Sequence, residues 1–206
     1  SPTVFFMAPV PSYFSWLKRQ DFVEPYSWWA QILRFLQSET PDRRFTLKAP
    51  FHTAFMDQIL EAVPNMQFVH IHRDPVEVVG SMNSLMHTTH AMVSKTRDPI
   101  TLGSSNLDFI SWLASENIEM RADKDLPLVD VYYRDLIANP VETVARIHQH
   151  FEIPFSSQHK ARIRDWLDNK PKEKHGKHDY SLEECGLDRE RVYERFSSYM
   201  DRFFNN

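Results

Sequence analysis

The order of elements along the chain predicts an α/β fold in three layers, a parallel sheet flanked by helices and incomplete at its N-terminus. Three observations predict it. Short strand-like runs at residues 44–48, 67–72 and 128–133 alternate with segments of helical periodicity long enough to serve as crossovers. Three strands are few for such a sheet, and the chain opens at Ser1 in a Pro-rich apolar stretch, as a cut from a longer protein would. Glycine is scarce: Gly80, Gly103, Gly176 and Gly186 stand where average usage would give about 14. No two of them are close enough to form a phosphate-cradling loop, which excludes a complete Walker A or G-x-G-x-x-G fingerprint within these 206 residues. They are read as one domain, 1–206.

Each element has its own signal. Trp28, Trp29, Ile32, Leu33, Phe35 and Leu36 form a broad helical stripe over residues 25–37, broken by Thr40-Pro41-Asp42. A strand at 44–48 stops at Pro50, and a helix at 53–62 buries Phe55, Met56, Ile59 and Leu60. Residues 67–72 read as a buried strand. Asp74-Pro75-Val76-Glu77 then starts a helix: Asp74 suits the N-cap, Pro75 the first helical position, and Glu77 completes a capping box. This helix is expected to run to about Met86 or beyond. The polar residues 87–106 carry a weaker signal, and residues 82–106 are expected to supply loops on the acceptor side. Further helices are predicted at 107–122, 140–151, 156–169 and 189–204, with a basic loop at 170–180.

Composition narrows the function. A net charge of −4 argues against a nucleic-acid partner. A single cysteine, Cys185, excludes an internal disulfide and a cysteine-based zinc finger. No run approaches the 18 apolar residues of a membrane span. The default compartment is cytoplasmic, unless a segment outside these residues carries an anchor or address.

Two constellations sit where parallel sheets bind ligands, at the carboxyl ends of strands. In Leu47-Lys48-Ala49-Pro50-Phe51-His52, Lys48 brings a fixed charge and His52 a proton acceptor with a near-neutral pKa. The pair suits transfer of an anionic group to a hydroxyl. A solvated lysine and a turn-capping histidine would look the same. In His72-Arg73-Asp74-Pro75, Arg73 stands beside the positive end of a helix, and Ser81 lies six residues past Pro75, about 9 Å along the axis. Guanidinium and hydroxyl together could hold one phosphate. Arg73 paired with Asp74 or another carboxylate is the alternative. Tyr133, after the third strand, could stack on a base or sit in the core. Residues 159–178 carry seven Lys and Arg against three acidic residues; their tail, with Lys174 and Lys177, could close over an anionic ligand or be a solvated face. His70 and His72 share one strand face, with His87 and His90 downstream; hydrogen-bonded core histidines fit better than a metal, so no metal is expected.

Taken together these segments resemble the sulfotransferases that use 3′-phosphoadenosine 5′-phosphosulfate (PAPS), in the branch common in bacteria that carries L-K-x-P-x-H. That motif reads Leu47 to His52 here. It is followed by Phe68-Val69-His70-Ile71-His72-Arg73-Asp74-Pro75 with Ser81, by Tyr-x-Asp-Leu-x-x-x-Pro from Tyr133 to Pro140, and by a closing pattern from His178 to Leu187. The resemblance implies a P-loop-like sulfotransferase fold. It implies Arg73 and Ser81 on the 3′-phosphate, Tyr133 near adenine, Lys48 near the transferring sulfuryl group and His52 as base. It implies transfer of a sulfuryl group from PAPS, as co-substrate, to a hydroxyl or amine of a small-molecule or carbohydrate acceptor. The family's Gly- and Ser/Arg-rich 5′-phosphosulfate loop has no counterpart here, so this looks like the C-terminal part of such an enzyme, compromised in binding PAPS by itself. A P-loop nucleotide kinase and a degenerate, non-catalytic binding module are the rival readings.

Overall fold

The structure, a computed structural model, describes residues 4–5, 7–95, 98–169 and 181–205. Its framework is a pair of parallel strands, β1 (Phe68–His72) and β2 (Leu128–Tyr132), paired from Phe68↔Leu128 to His72↔Tyr132. Between them the chain makes two long helices, α4 (Pro75–Val93) and α5 (Pro99–Ala122). Ahead of β1 lie α1 (Pro11–Leu17), α2 (Val23–Gln37), a 3-10 turn (Pro50–Ala54) and α3 (Met56–Ala62). After β2 come α6 (Tyr133–Ala138), α7 (Pro140–His150), α8 (Ser157–Asn169), a 3-10 turn (Glu183–Cys185), α9 (Arg189–Arg195) and α10 (Ser197–Phe203).

Four departures from the expected layout have local causes. Residues 44–48 form no strand: they are exposed and irregular, with no neighbouring strand to pair with among the described residues. A strand is a pairing, and apolar alternation alone does not make one. Second, α4 runs on to Val93 and α5 begins at Pro99, so most of 82–106 is helix and not loop. Thr88 and Thr89 hydroxyls donate back to the carbonyls of Ser84 and Leu85, so their polar groups are satisfied within α4. Asp98 caps α5 by accepting from the amides of Ile100 and Thr101. Third, the final helix is two, broken at Phe196. Fourth, α1 forms in the Pro-rich lead, with Pro11 at its start and Leu17 buried.

The core has two clusters, and α5 belongs to both. Leu107 packs with Val76, Val79, Val192, Phe196 and Tyr199 beneath α4, α9 and α10. Phe109 and Leu113 pack with Phe5, Tyr26, Phe55 and Ile59 on the other side. This two-sided burial requires close approach at Gly103. A Cβ there would stand 2.5 Å from the Cys185 carbonyl oxygen and 2.7 Å from the Cys185 Cβ. Gly103→Ala is therefore expected to destabilise by about 1–3 kcal/mol through overpacking. At roughly 2–4 °C per kcal/mol for a chain of this size, thermal melting should fall by several degrees; an unchanged melt would show that the turn at Cys185 yields freely.

α10 and the end of α5 cover one face of the sheet. The Phe203 ring stacks on His72 at 4.2 Å between centroids, and Arg121 lies over the same ring at 5.1 Å. The opposite face presents Val69 and Ile71, which are 42% and 48% exposed.

Candidate active site

Parallel register brings the first two site residues together. His72 is the register partner of Tyr132, so Arg73 and Tyr133 leave the sheet side by side at its carboxyl edge. The Arg73 guanidinium lies over the Tyr133 ring, 4.6 Å from its centroid, a cation–π contact. Its Nε donates to Glu77 Oε2 at 2.7 Å, and the side chain is one-third exposed (33%). Glu77, expected to close a capping box, is turned to Arg73 instead. Asp74 alone supplies the side-chain cap, its Oδ1 accepting from the Val76 amide at 2.8 Å. Its Oδ2 accepts from the Tyr193 hydroxyl at 2.9 Å, which ties the turn to α9. Ser81 is exposed on α4, one turn beyond Glu77 on the same face. Arg73 therefore leans along the helix face that carries Ser81.

Lys48 and His52 are placed by the turn that leads into α3. Lys48 is exposed just before the 3-10 turn Pro50–Ala54, and His52 lies within it. His52 takes its partners from α2. Its Nδ1 is 3.0 Å from the Tyr26 hydroxyl, and its ring is 5.3 Å from that of Trp29. Burial lowers the His52 pKa below the ordinary histidine value, so the ring is neutral near pH 7. Burial, with the Asp57 carboxylate adding to it, pushes the Tyr26 phenol up, so it stays protonated. Tyr26 was not among the residues expected to matter; a tyrosine inside an aromatic helix stripe gives no sign in sequence that its hydroxyl faces a histidine. Lys174 and Lys177 lie outside the described residues.

Directly behind Arg73 is a polar network, also unforeseen as a unit, in which His72 is buried, His70 half-buried and Asp130 exposed. Asp130 Oδ2 and Oδ1 accept from Arg121 Nη2 and Nη1 at 2.6 and 3.0 Å. His72 Nε2 is 2.7 Å from Asp130 Oδ1, and its Nδ1 is 2.9 Å from the Tyr199 hydroxyl. His70, the register partner of Asp130, has Nδ1 3.3 Å from Arg121 Nη1. Burial opposes ionisation of Asp130, but hydrogen bonds from His72 and Arg121 and the guanidinium charge outweigh it and hold the carboxyl well below the usual range. Burial, followed by the charges of His72 and Arg121, pushes His70 down to about 3, against the pull of Asp130. Among the described residues His70, His72 and Asp130 could also present ligand atoms to a cation, but the Arg121 fork already occupies the carboxylate. The signal in sequence was a carboxylate at 130 inside a run of apolar strand residues.

The family model described as "Sulfotransferase family" matches residues 6–157. The chain belongs to the sulfotransferase family. Membership does not favour the nucleotide-kinase reading. Among curated relatives of this sulfotransferase-family chain are the omega-hydroxy-beta-dihydromenaquinone-9 sulfotransferases Stf3 of Mycobacterium bovis and Mycobacterium tuberculosis. Each is 26% identical over 214 residues, covering 98% of this chain and 52% of the relative. The fold matches the crystal structure of sulfotransferase STF9 from Mycobacterium avium with a TM-score of 0.86 and 26% identity, over 98% of this chain and 52% of that one. It matches that of STF1 from Mycobacterium tuberculosis with a TM-score of 0.83 and 31% identity, over 96% and 51%. The chain thus spans about half the length of the curated relatives it matches. Among the described residues no helix is long and apolar enough to cross a membrane.

Proposed function

We propose that residues 1–206 form one sulfotransferase domain, or the C-terminal part of one, that serves transfer of a sulfuryl group from PAPS to the hydroxyl of a small-molecule acceptor. The observation that carries this is the Arg73–Tyr133 pair at the carboxyl edge of the sheet, with Ser81 farther along the α4 face onto which Arg73 leans. Arg73 and Ser81 would hold the 3′-phosphate, and Tyr133 would lie against the adenine. Lys174 and Lys177 would add positive charge around the nucleotide.

The chemistry parallels phosphoryl transfer, in which the protein mainly positions groups and stabilises charge. The acceptor oxygen attacks sulfur as the bond from sulfur to the 5′-phosphate oxygen breaks. Adenosine 3′,5′-bisphosphate leaves with the electron pair, its new charge met by Lys48. The acceptor proton passes to Nε2 of His52, which burial keeps neutral and therefore basic. That role requires the tautomer with hydrogen on Nδ1, which the Tyr26 oxygen 3.0 Å away can accept, supporting the imidazolium that forms. The Stf3 relatives act, by name, on a menaquinone bearing a hydroxyl. An alcohol is the acceptor class proposed for this chain too.

In a protein that includes the 5′-phosphosulfate loop, His52→Ala is expected to lower turnover of PAPS with an ω-hydroxylated menaquinone by about 10²–10⁴-fold. Affinity for adenosine 3′,5′-bisphosphate, measured by calorimetric titration, should be unchanged. Full turnover in the variant would remove His52 from the role of base. In a protein that includes the 5′-phosphosulfate loop, a folded wild type that gives no heat with the bisphosphate would favour the non-catalytic module.

A further inference from the structure

Where β1 runs into α4, the spacing of three side chains sets how Arg73 can meet an anion. Glu77 follows Arg73 by four residues, and Ser81 follows Glu77 one turn farther along α4. Arg73 Nε donates to Glu77 Oε2 at 2.7 Å, and the guanidinium lies over the Tyr133 ring, 4.6 Å from its centroid. Tyr133 is the first residue of α6, so the guanidinium is gripped from two helices at once. Arginine presents a planar fork of N–H donors. With the Nε hydrogen directed to Glu77, a phosphate has to meet the terminal Nη nitrogens, an edge suited to bidentate contact. Glu77 is exposed, and the side-chain cap of α4 comes from Asp74. The helix start therefore does not depend on the Glu77 carboxylate.

We infer that Glu77 is a positioning residue for Arg73: it ties Nε to the α4 face, so that the guanidinium turns its Nη edge to the phosphate shared with Ser81. This rests on the reading of Arg73 and Ser81 as ligands of the 3′-phosphate. Two effects of Glu77 on such a ligand oppose each other. An arginine side chain has many rotamers, and ordering it on binding costs affinity; a partner that orders it beforehand removes part of that cost. A carboxylate beside a phosphate also repels it. The Arg73 and Glu77 side chains are 33% and 50% exposed, so water and salt screen the repulsion, whereas rotamer freedom is not screened. Ordering therefore wins. Removing this negative charge from an anion site is expected to weaken the anion's binding.

The test uses a protein that includes the 5′-phosphosulfate loop. Glu77→Ala should lower affinity for adenosine 3′,5′-bisphosphate by about 2- to 10-fold, because the released side chain has to be ordered on binding. Affinity for adenosine 5′-monophosphate, which lacks the 3′-phosphate, should hold. Glu77→Gln removes the charge but keeps an oxygen for Nε, so its affinity should lie between those of the wild type and Glu77→Ala. An exposed i,i+4 pair adds little to stability, so both variants should melt with the wild type. Exchange of the Arg73 Nε proton with water, read by NMR, should be about tenfold faster in Glu77→Ala than in the wild type. A gain in bisphosphate affinity in both variants would mean that repulsion governs, and it would overturn the inference. So would an unchanged affinity in Glu77→Ala beside a large loss in Arg73→Ala, or an equal loss for the two nucleotides. If Arg73→Ala itself keeps full affinity, the nucleotide reading fails. Nε exchange then decides whether Glu77 holds the guanidinium: faster exchange in Glu77→Ala supports the hold, and equal exchange refutes it.

Discussion

Arg73→Ala is expected to weaken binding of adenosine 3′,5′-bisphosphate by about 10- to 100-fold and to leave thermal stability almost unchanged. The affinity loss follows from removing charge-assisted bonds to phosphate, which are worth about 1.5–3 kcal/mol. A second consequence adds to it. Glu77 now neutralises the Arg73 Nε at 2.7 Å; without Arg73 its carboxylate would face the incoming phosphate unpaired. The small effect on stability follows from position. The pair is an exposed i,i+4 contact on the first turn of α4, and such pairs contribute little. Ser81→Ala removes one neutral donor and should cost less, about two- to tenfold. Calorimetric titration of bisphosphate and monophosphate into the same variants measures both effects. A loss in Arg73→Ala that is equal for the two nucleotides would place the guanidinium on some other part of the ligand.

Asp130→Ala is expected to destabilise the fold by about 2–3 kcal/mol, or several degrees of melting temperature, because it strands two donors. The Arg121 side chain is 12% exposed and that of His72 is fully buried, and each would lose its acceptor. Asp130→Asn keeps an oxygen for one donor and should cost less. The same network sets an acid limit. His70 is held down at about 3 in the fold, against about 6.5 unfolded. Between these values the unfolded chain binds a proton that the folded chain refuses, so stability falls as pH drops from about 6.5 towards 3. Asp130 is also depressed: its contribution is complete above the unfolded value of about 3.9 and is lost as pH falls through its lower folded value. Urea unfolding at a series of pH values should show both windows. His70→Gln should flatten the upper one, and an unaltered slope in that variant would mean that the ring titrates freely in the fold.

The parts of this protein that could be read from residues alone are those governed by near neighbours. The apolar run at 67–72 and the Asp74-Pro75 helix start specify where β1 ends and α4 begins, and they place Arg73 between them, because capping and periodicity act over a few residues. The same locality let the ordered motifs reveal the family. What depended on distant partners was out of reach. Residues 44–48 have strand composition but no strand to pair with, and Glu77 chose a guanidinium over a cap. Tyr199 meets His72 across 127 residues, and Tyr26 meets His52 across 26. Hydrogen bonds of that kind are set by how helices pack on the sheet, so only the tertiary structure determines which hydroxyl faces which ring.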